Sequence, residues 1–570
     1  MNMKKLLYLT AAFIVMLGVS SCKLDYFPSD ELNSNTLLND KQGAKYVIDG
    51  CYSMLKDEFE YIEYASSNTY VRHYMQMAEF PADNSTLANR TTDPLYQATC
   101  YKMTDNLKNV GLFWWVGYKV IFSANTVIEQ FEEGKSAEND QYIGEAYFLR
   151  AMCHFHMVSI FAKPYILGRD KMGIVLRTST NTNETHRATV GEVYDQIVAD
   201  LWKASELMTK RNGGNGGYAS KNTALGLLSR VYLYEEKNDS VLYVINQMGD
   251  PTANLDPDYT KYFANAVTSK ETLLCLVHTT LENRTGGSIG SMYNGDGGGW
   301  GEVYCSDPLL NLYERYPEDK RLSYIWPQYA AANVDEVYFA IPDSGSSTYM
   351  WGDVELDATG IPVVDADGSK YCTIDGARIK ISPVKVNGMN EEDPAGEYTL
   401  YFANYKGQKY NARFTKTMVK YPTILSPNFW VTKFSYQDGQ AMLSSPVFLR
   451  WAEVVLNRAE ANAKLGNDAA ALDDVNAIRQ RAGLSGAALF STANMHGYTS
   501  VLDVVLDERR MELAFEGHRM FDVYRNRRDM DRRFGGVQPW EIVKYTDDKI
   551  QYPIPYNETS VSHIPQNPGY

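Results

Sequence analysis

SVLDVVLDERRMELAFEGHRMFDVYRNRR, residues 500–528, is the stretch that best predicts how this chain folds. Ser500 and Asp503 stand at the spacing of a helical capping box, which predicts that a helix begins here. At about 100° per residue, one face of a helix through this stretch gathers a mainly apolar stripe. Its members are Val501, Val504, Val505, Met511 and Phe515. We therefore expect this face to lie against a hydrophobic core.

Two glutamates, Glu508 and Glu512, fall in the middle of the same face. Carboxylates one turn apart, with roughly 5–6 Å between their Cβ atoms, repel each other and are costly to bury without partners. We expect arginines to pair with them. The candidates are Arg519, two turns further along the same face if the helix continues through Gly517, and Arg450, Arg479 and Arg481 on upstream helices.

The glutamate pair allows two interpretations. In the first, Glu508, Glu512 and Arg519 belong to a network of structural ion pairs that holds helices together. In the second, the carboxylates are the catalytic pair of a retaining glycosidase, which uses about this separation. We favour the network, because the surrounding stripe is apolar whereas catalytic carboxylates lie at a cleft.

Composition narrows the class of protein. The chain has 570 residues and a formal charge of −15, and it contains no long basic run. Its length allows roughly two to four domains and a large core. The charge pattern argues against nucleic-acid binding, and an anionic membrane surface would repel the body of the protein.

The beginning of the chain is typical of an exported protein. Residues 1–21 combine two lysines with an apolar run and small residues, which predicts a signal peptide too short to span a bilayer once folded. Residues 17–22, LGVSSC, resemble the lipobox of bacterial lipoproteins, which implies a lipid on Cys22; the alternative is a plain cleaved signal with an incidental cysteine. Residues 22–39 would then be an anchor and a polar stalk.

No pattern in the sequence predicts a metal or a cofactor. The remaining cysteines are scattered without a CxxC pair, and export permits disulfides without predicting any. His154 and His156, two residues apart on a predicted helix, point to different sides. Residues 365–368, DADG, have too few spaced oxygens for an EF-hand, so calcium binding there is only weakly indicated. The glycine run 295–301 lacks the GK[ST] of a phosphate-binding loop.

The rest of the chain separates into helical and loop-rich parts. Residues 40–250 show helical periodicity, including a capping box at Thr189 and Glu192, around an inserted aromatic loop at about 67–108. Residues 251–445 are rich in glycine, proline and aromatics, with short alternating segments that predict a few β hairpins. Residues 446–570 are helical again, and their first helix pair has about the length of a tetratricopeptide unit.

Several motifs in this order resemble the RagB/SusD family of nutrient-binding outer-membrane lipoproteins. They include GEAYFLRAMCHFHMVSIFAKPYILG, FLRWAEVVLNRAEANAKLG, DVNAIRQRAGL, DERRMELAFEGHRMFDV and the tail YPIPYNETSVSHIPQNPGY. The resemblance implies a mostly α fold, in which tetratricopeptide-like antiparallel helix pairs form a scaffold beside an irregular lobe at 251–445 with a few short β hairpins. It also implies that Glu508, Glu512 and Arg519 belong to the scaffold.

The function implied by the resemblance is nutrient capture without catalysis. Members of the family lie on the cell surface over a TonB-dependent barrel of the SusC type and deliver to it an oligosaccharide, or sometimes a peptide. We therefore expect a lipid-anchored, outer-membrane glycan-binding protein that requires no cofactor. A surface glycoside hydrolase and a peptide-binding member of the family remain the alternatives.

Candidate ligand-binding residues follow from the chemistry of sugars and from position in the chain. Sugars offer apolar C–H faces and hydroxyls, so a site needs exposed aromatic rings flanked by polar groups. The early loop and the middle lobe, where the family binds its ligands, offer such residues. They are Tyr70, Arg72, Tyr74, Asp83, Asn84 and Arg90 in the loop, and Tyr293, Trp300, Tyr304, Trp326, Tyr349 and Trp351 in the lobe.

Overall fold

The computed structural model describes most of the chain beyond its beginning. It covers residues 40, 42–61, 64–66, 69–87, 93–183, 185–211, 216–327, 336–343, 346–387, 397–415, 420–421, 424–425 and 429–570. The predicted signal peptide, Cys22, the stalk and Arg90 lie outside the described residues. The body of the protein is one unit, Val47–Tyr570, and the Gly43–Met54 helix leads into it.

Helices dominate the first and last parts of the chain. Those of the first part are Gly43–Met54, Thr69–Glu79, Tyr96–Thr99, Lys108–Gln130, Ala137–Phe161, Val190–Leu207, Lys221–Tyr234 and Asn238–Asn246. The middle carries the short helices Tyr259–Tyr262, Ile289–Tyr293 and Asp307–Glu314. The last part has Trp451–Lys464, Asp468–Arg481, Val501–Glu512, Arg519–Arg525 and Tyr556–Ser560.

Consecutive long helices pack side by side, which confirms the predicted scaffold of helix pairs. Ala137–Phe161 packs against both Lys108–Gln130 and Val190–Leu207, and Trp451–Lys464 packs against Asp468–Arg481. The predicted capping box is present, because the Thr189 side chain accepts from the backbone N–H of Glu192 while the Glu192 carboxylate accepts from the N–H of Thr189.

The helix predicted through residues 500–528 is broken. It begins after Ser500, whose side chain accepts from the N–H of Asp503, and it ends at Glu512; a second helix starts at Arg519. Between them Phe515 and Gly517 have φ values of 68° and 78°, in the left-handed region that ends a helix. Gly517 also lies close to the Tyr74 ring, so the break brings this turn onto the Thr69–Glu79 helix.

Part of the predicted early loop is helical instead. The Thr69–Glu79 helix buries Tyr70, Val71, Tyr74, Met75 and Ala78. These positions follow the three- and four-residue spacing of a helical face, and the polar residues between them concealed it. The beginning of the last part also differs from expectation, since Val447–Arg450 is a strand and the helix starts at Trp451.

The middle lobe contains more β structure than isolated hairpins. Six antiparallel strands form one sheet, so the hairpins predicted there are joined into a larger unit. Across the sheet the strands are ordered Ser346–Asp353, Glu336–Asp343, Gln408–Thr415, Glu397–Tyr405, Ala377–Asn387 and Lys370–Ile374.

The two edges of this sheet meet. Val354, just beyond one edge strand, pairs with Cys372 of the other, and the N–H of Glu355 donates to the carbonyl of Tyr371 at 2.8 Å. The inner face carries a packed apolar core that includes Val337, Phe339, Ile379, Ile381 and Ala403. Because side chains alternate along a strand, the neighbouring residues form an outer face.

Short two-stranded pairs connect distant parts of the chain. The pairs are Phe59–Tyr61 with Tyr64–Ser66, Ser85–Leu87 with Val303–Cys305, Met172–Val175 with Arg187–Thr189, Thr272–Cys275 with Val447–Arg450, Ile325–Pro327 with Phe429–Val431, Lys420–Tyr421 with Ile424–Leu425, and Met530–Asp531 with Ile542–Val543. Among the described helices, none has the combination of length and apolar character needed to cross a bilayer.

Candidate functional site

A cleft lies between the outer face of the six-stranded sheet and the loop 534–540. Its volume is about 630 Å³, within the range typical of small-molecule sites. We call it the wide cleft. Aromatic residues from the sheet, the scaffold and the loop line it, namely Tyr304, Tyr338, Phe402, Phe534 and Trp540. Such a surface can pack against the apolar faces of sugar rings.

The two walls of the wide cleft approach each other at Phe402 and Trp540. Their ring centroids are 6.3 Å apart with the planes inclined at 61°, an edge-to-face arrangement. Trp540 is 47% exposed, so one side of its indole remains available to a ligand. The Lys409 ammonium lies 4.2 Å from the centroid of the Phe402 ring, within cation–π distance.

A smaller cavity of about 220 Å³ adjoins the wide cleft and shares Asp307, Asn411 and Arg413 with it. Its lining is more acidic, with Glu314 and Asp531 beside Arg533. Arg413 of the sheet forms an ion pair with Asp307, the first residue of the Asp307–Glu314 helix. This ion pair joins the sheet to the scaffold where the two cavities meet.

The scaffold wall depends on a close contact between chain segments far apart in sequence. Thr86 and Tyr304 are paired across two short strands, and the Thr86 hydroxyl donates to Gln538 Oε1 at 3.0 Å. A Cβ on Gly536 would lie 2.1 Å from Thr86 Oγ1, and the φ of this glycine is 152°. Only glycine allows the loop to approach this closely.

Asp83 and Asn84 lie beneath this wall. Asp83 accepts from Arg519 at 2.6 and 2.9 Å and lies 3.0 Å from Arg510 Nη2, while Asn84 accepts from Arg510 Nε at 2.9 Å. Burial by itself raises the pKa of Asp83, but the two guanidinium groups outweigh it and lower the pKa to about 2. Asp83 is thus a buried anion that fixes the segment leading to Thr86.

The glutamate pair is buried among arginines. Glu508 is 2.6 Å from Arg321 Nη1 and 2.9 Å from Arg479 Nη1. Glu512 is 2.6 Å from Arg450 Nη1 and also pairs with Arg481. The two carboxylates are 1% and 0% exposed. The predicted pairing with Arg450, Arg479 and Arg481 is confirmed. Arg519 also forms a buried ion pair, but its partner is Asp83 rather than either glutamate, because the helix does not continue through Gly517.

Burial among arginines makes Glu508 and Glu512 unsuitable as catalytic residues. Burial raises the pKa of Glu512, but Arg481, Arg450 and Arg321 more than offset this and hold the pKa below its usual range. A carboxylate held ionised in this way cannot serve as a general acid near neutral pH. Glu508 borders a cavity of only about 100 Å³, well below the usual size of a ligand site.

Most candidates from the early loop are part of the core. The Tyr70 hydroxyl lies 3.1 Å from His156 Nδ1. The Tyr74 ring stacks on the His156 ring, with 4.1 Å between the ring centroids. Arg72 is half-buried, 3.6 Å from Asp93. The expectation that Tyr70, Tyr74, Asp83 and Asn84 form an exposed platform was wrong, because the helix and the Asp83 ion pairs turn these side chains inward.

The lobe candidates have different environments. Tyr304 lines the wide cleft, whereas Tyr293 is buried between Phe434 and Phe515, so its predicted exposure was also wrong. Trp300 is 62% exposed and its Nε1 donates to the Gly286 carbonyl at 2.9 Å, away from both cavities. Trp351 is half-buried and pairs in register with Tyr338. Trp326 and Tyr349 lie in strands that pair them with Trp430 and Ala340, and their side chains are outside the described part.

The sequence interpretation missed several residues of the wide cleft. Trp540 follows Gly535, Gly536 and Pro539, a loop composition that can expose a tryptophan. Phe402 belongs to an alternating segment that predicted a strand, whereas the strand of Lys409 was not predicted, and the face that each residue occupies depends on how the sheet closes. The cysteines in the described residues are free, and most of them are buried. No cluster of metal-ligating side chains occurs within the described ranges.

Comparison with known proteins identifies the family. A model of the SusD family matches residues 277–570, more than half of the chain. A second model, described as starch-binding and associating with the outer membrane, matches residues 25–233. The two matches cover the scaffold on both sides of the lobe and much of the lobe itself.

Related proteins and solved structures agree with these matches. SusD-like protein P38 of Formosa agariphila is 21% identical over 577 residues, covering 99% of this chain and 98% of that protein. SusD-like protein P2 of the same organism is 24% identical over 490 residues, which cover 82% of this chain and 82% of that protein.

Two crystal structures from Bacteroides vulgatus share the fold. A SusD superfamily protein has a TM-score of 0.65 at 21% identity over 92% of this chain and 98% of its own. The second structure, titled as a putative sugar binding protein, has a TM-score of 0.65 and is 20% identical in sequence. The match covers 93% of this chain and 98% of that protein's chain. From its sequence matches and its fold, this chain belongs to the RagB/SusD family.

Proposed function

We propose that this protein binds an oligosaccharide in the wide cleft and takes part in its uptake at the outer membrane. The observation that carries the proposal is the aromatic lining, with Phe402 and Trp540 on opposite walls of a cleft of about 630 Å³. A family model described as starch-binding and a structural neighbour titled as a putative sugar binding protein support the same ligand class.

The binding test compares two exposed tryptophans. Trp540→Ala removes a ring from the wide cleft, and Trp300→Ala removes one outside both cavities. In calorimetric titrations with a panel of oligosaccharides, Trp540→Ala should weaken binding by about tenfold, the upper range for one aromatic contact. Trp300→Ala should leave the affinity within about twofold. Loss of oligosaccharide binding in Trp300→Ala alone would indicate that the binding site is at the loop 294–301. Binding of peptide pools without binding of any saccharide would favour a peptide ligand.

Tyr304 and Trp351 are the proposed contributors nearest the wide cleft among the residues selected from the sequence, and Arg72, Arg90, Trp326 and Tyr349 stay candidates. Tyr304 lines the cleft directly, and Trp351 is paired with Tyr338, which lines it. Trp300, exposed on a neighbouring loop, could contact only a ligand that extends beyond the cleft. Phenylalanine substitution at Tyr304 should reduce saccharide affinity while preserving the packing of the ring.

Delivery to a SusC-like TonB-dependent transporter is the second part of the proposal. It is supported by family membership and by the lipobox-like residues 17–22, which would anchor the protein through Cys22 on the outer membrane, facing the medium. Affinity purification from detergent-solubilised outer membranes should recover a large barrel protein in stoichiometric amounts. Recovery of this protein alone would count against a transport partner.

We also propose that the protein is not a hydrolase. Glu508 and Glu512, the pair with a spacing suited to a glycosidase, are enclosed by arginines and offer no accessible acid. Purified protein incubated with a panel of polysaccharides should release no new reducing ends. Sustained release that disappears in Glu508→Gln and Glu512→Gln variants with intact folds would establish the glycoside hydrolase instead.

A further inference from the structure

The charge of the wide cleft is opposite to that of the protein. The chain has 70 acidic and 55 basic residues, so an average part of its surface should be acidic. Among the residues that the structure describes, the charged ones lining the wide cleft are three basic residues, Lys102, Lys409 and Arg413, and one acidic residue, Asp307. The balance of charge at the cleft is therefore the reverse of that of the whole chain.

Among the described charged residues of the wide cleft, two lysines have no ion-pair partner. Arg413 and Asp307 neutralise each other, which leaves Lys102 on the scaffold side and Lys409 on the sheet side. Both side chains are exposed, and neither makes an ion pair with any residue that the structure describes. Two ammonium groups without ion-pair partners at one cleft would attract a ligand that carries negative charge.

Contacts with neighbouring residues fix the positions of Lys102 and Lys409. Lys409 lies over the Phe402 ring, one of the proposed sugar platforms. Lys102 follows Tyr101, which has a φ of 51° and whose hydroxyl donates to the Pro81 carbonyl at 2.7 Å. The buried turn therefore holds Lys102 at the rim. Of the acidic residues nearby, Asp531 is paired with Arg533, and Glu541 lies outside the lining of the cleft.

We propose that the wide cleft selects glycans that carry negative substituents, either uronate carboxylates or sulfate esters. Lys102 and Lys409 would bind these groups through charge-assisted hydrogen bonds, while Trp540 and Phe402 pack against the ring faces. In the smaller cavity, the ion pairs of Asp307 with Arg413 and of Asp531 with Arg533 leave Glu314 as the carboxylate without an ion pair among the described residues, so the charged substituents fit better at the wide end. This inference rests on the proposed function of the cleft as a glycan site.

The test uses matched neutral and acidic ligands. Oligogalacturonides and their methyl esters compare a carboxylate with a neutral ester, and dextran sulfate and dextran compare a sulfate ester with a hydroxyl. Calorimetry should show that the acidic member of at least one pair binds about tenfold more tightly. The preference should shrink in about 1 M salt, where the Debye length is about 3 Å.

Variants connect that preference to the two lysines. The double variant Lys102→Gln/Lys409→Gln should lose the preference for the acidic ligand and keep its affinity for the neutral one. Lys221→Gln/Lys270→Gln removes the same charge from exposed positions outside both cavities and should behave as the parent protein.

Two results would overturn the inference. Equal or tighter binding of the neutral members excludes anion selection while leaving glycan binding intact. A preference that survives in the Lys102/Lys409 double variant excludes these lysines. Absence of binding to every saccharide would instead reject the proposed function on which the inference depends.

Discussion

Arg519 donates two hydrogen bonds to the carboxylate of Asp83, at 2.6 and 2.9 Å, and both side chains are buried. The pair joins residues 436 positions apart in the chain. Because Asp83 begins the segment that carries Thr86 to the wall of the wide cleft, the same ion pair links the scaffold to the proposed site.

Asp83→Asn should destabilise the protein strongly. The change leaves Arg510 and Arg519 buried without their carboxylate, which should lower the free energy of unfolding by about 3–5 kcal/mol in urea titrations. Asp195→Asn breaks an exposed ion pair with Arg169 and should cost no more than about 1 kcal/mol. Equal stability of the two variants would contradict the structural importance of the Asp83 pair.

Acid should weaken the same pair. Since the folded-state pKa of Asp83 is about 2, below that of a free aspartate near 3.9, the folded protein binds fewer protons than the unfolded chain between these values. The stabilisation is therefore complete above about pH 4 and is lost as the pH falls towards 2. Unfolding free energies from pH 5 to pH 2 should decline more steeply for the parent protein than for Asp83→Asn.

Glu79 should produce the opposite pH dependence. It is fully buried, one oxygen accepts from the N–H of Gly517 at 2.7 Å, and the other has no partner in the described structure. Burial is the main cause that raises its pKa to about 8, while Gly517 and Lys433 lower it and Glu516 and Asp83 raise it further. The folded protein thus holds an extra proton between about pH 4.3 and pH 8.

Stability should consequently fall as the pH rises through that interval, by on the order of 1.4 kcal/mol per pH unit from this group alone. Glu79→Gln stays neutral and retains the acceptor for Gly517. Its stability advantage over the parent protein should grow from pH 5 to pH 8 in urea titrations. A constant difference between the two proteins would show that Glu79 is ionised in the folded state.

Glu512→Gln should impair folding rather than catalysis. Arg450 and Arg481 would lose a buried counter-charge, so a loss of about 3–5 kcal/mol in unfolding free energy is expected. Glu355→Gln affects an exposed pair with Arg378 and should leave the urea midpoint unchanged. A Glu512→Gln protein as stable as its parent would be inconsistent with the network described above.

Gly536→Ala should damage the cleft wall. The added Cβ would collide with Thr86 Oγ1 and with Gln538 Oε1, 2.1 and 2.4 Å away, and break their hydrogen bond. We expect a lower melting temperature and weaker oligosaccharide binding. Gly50→Ala, in a helix with open space around the Cβ position, should instead stabilise by up to about 1 kcal/mol and leave binding unaffected. Normal binding in Gly536→Ala would separate this loop from the site.

Local patterns predicted the helical scaffold well. Capping at Ser500 and Thr189 and the apolar stripe of Val501, Val504 and Val505 involve neighbours within a few residues, and the structure has these features. The positions of Glu508 and Glu512 on the apolar helix face also indicated that buried arginines must neutralise them. What could not be predicted was which arginine meets which carboxylate, since Gly517 redirects Arg519 to Asp83.

The wide cleft is the part that only tertiary structure decided. Sequence alone indicated an aromatic, loop-rich lobe with alternating strands, and therefore the kinds of side chain available for a ligand. Closure of the sheet determines that Phe402 and Lys409 face outward, and the approach of Gly536 to Thr86 brings Trp540 opposite them. Those contacts join different segments of the chain, which for Thr86 and Gly536 are 450 residues apart, and no periodicity within one segment encodes the position of its partner.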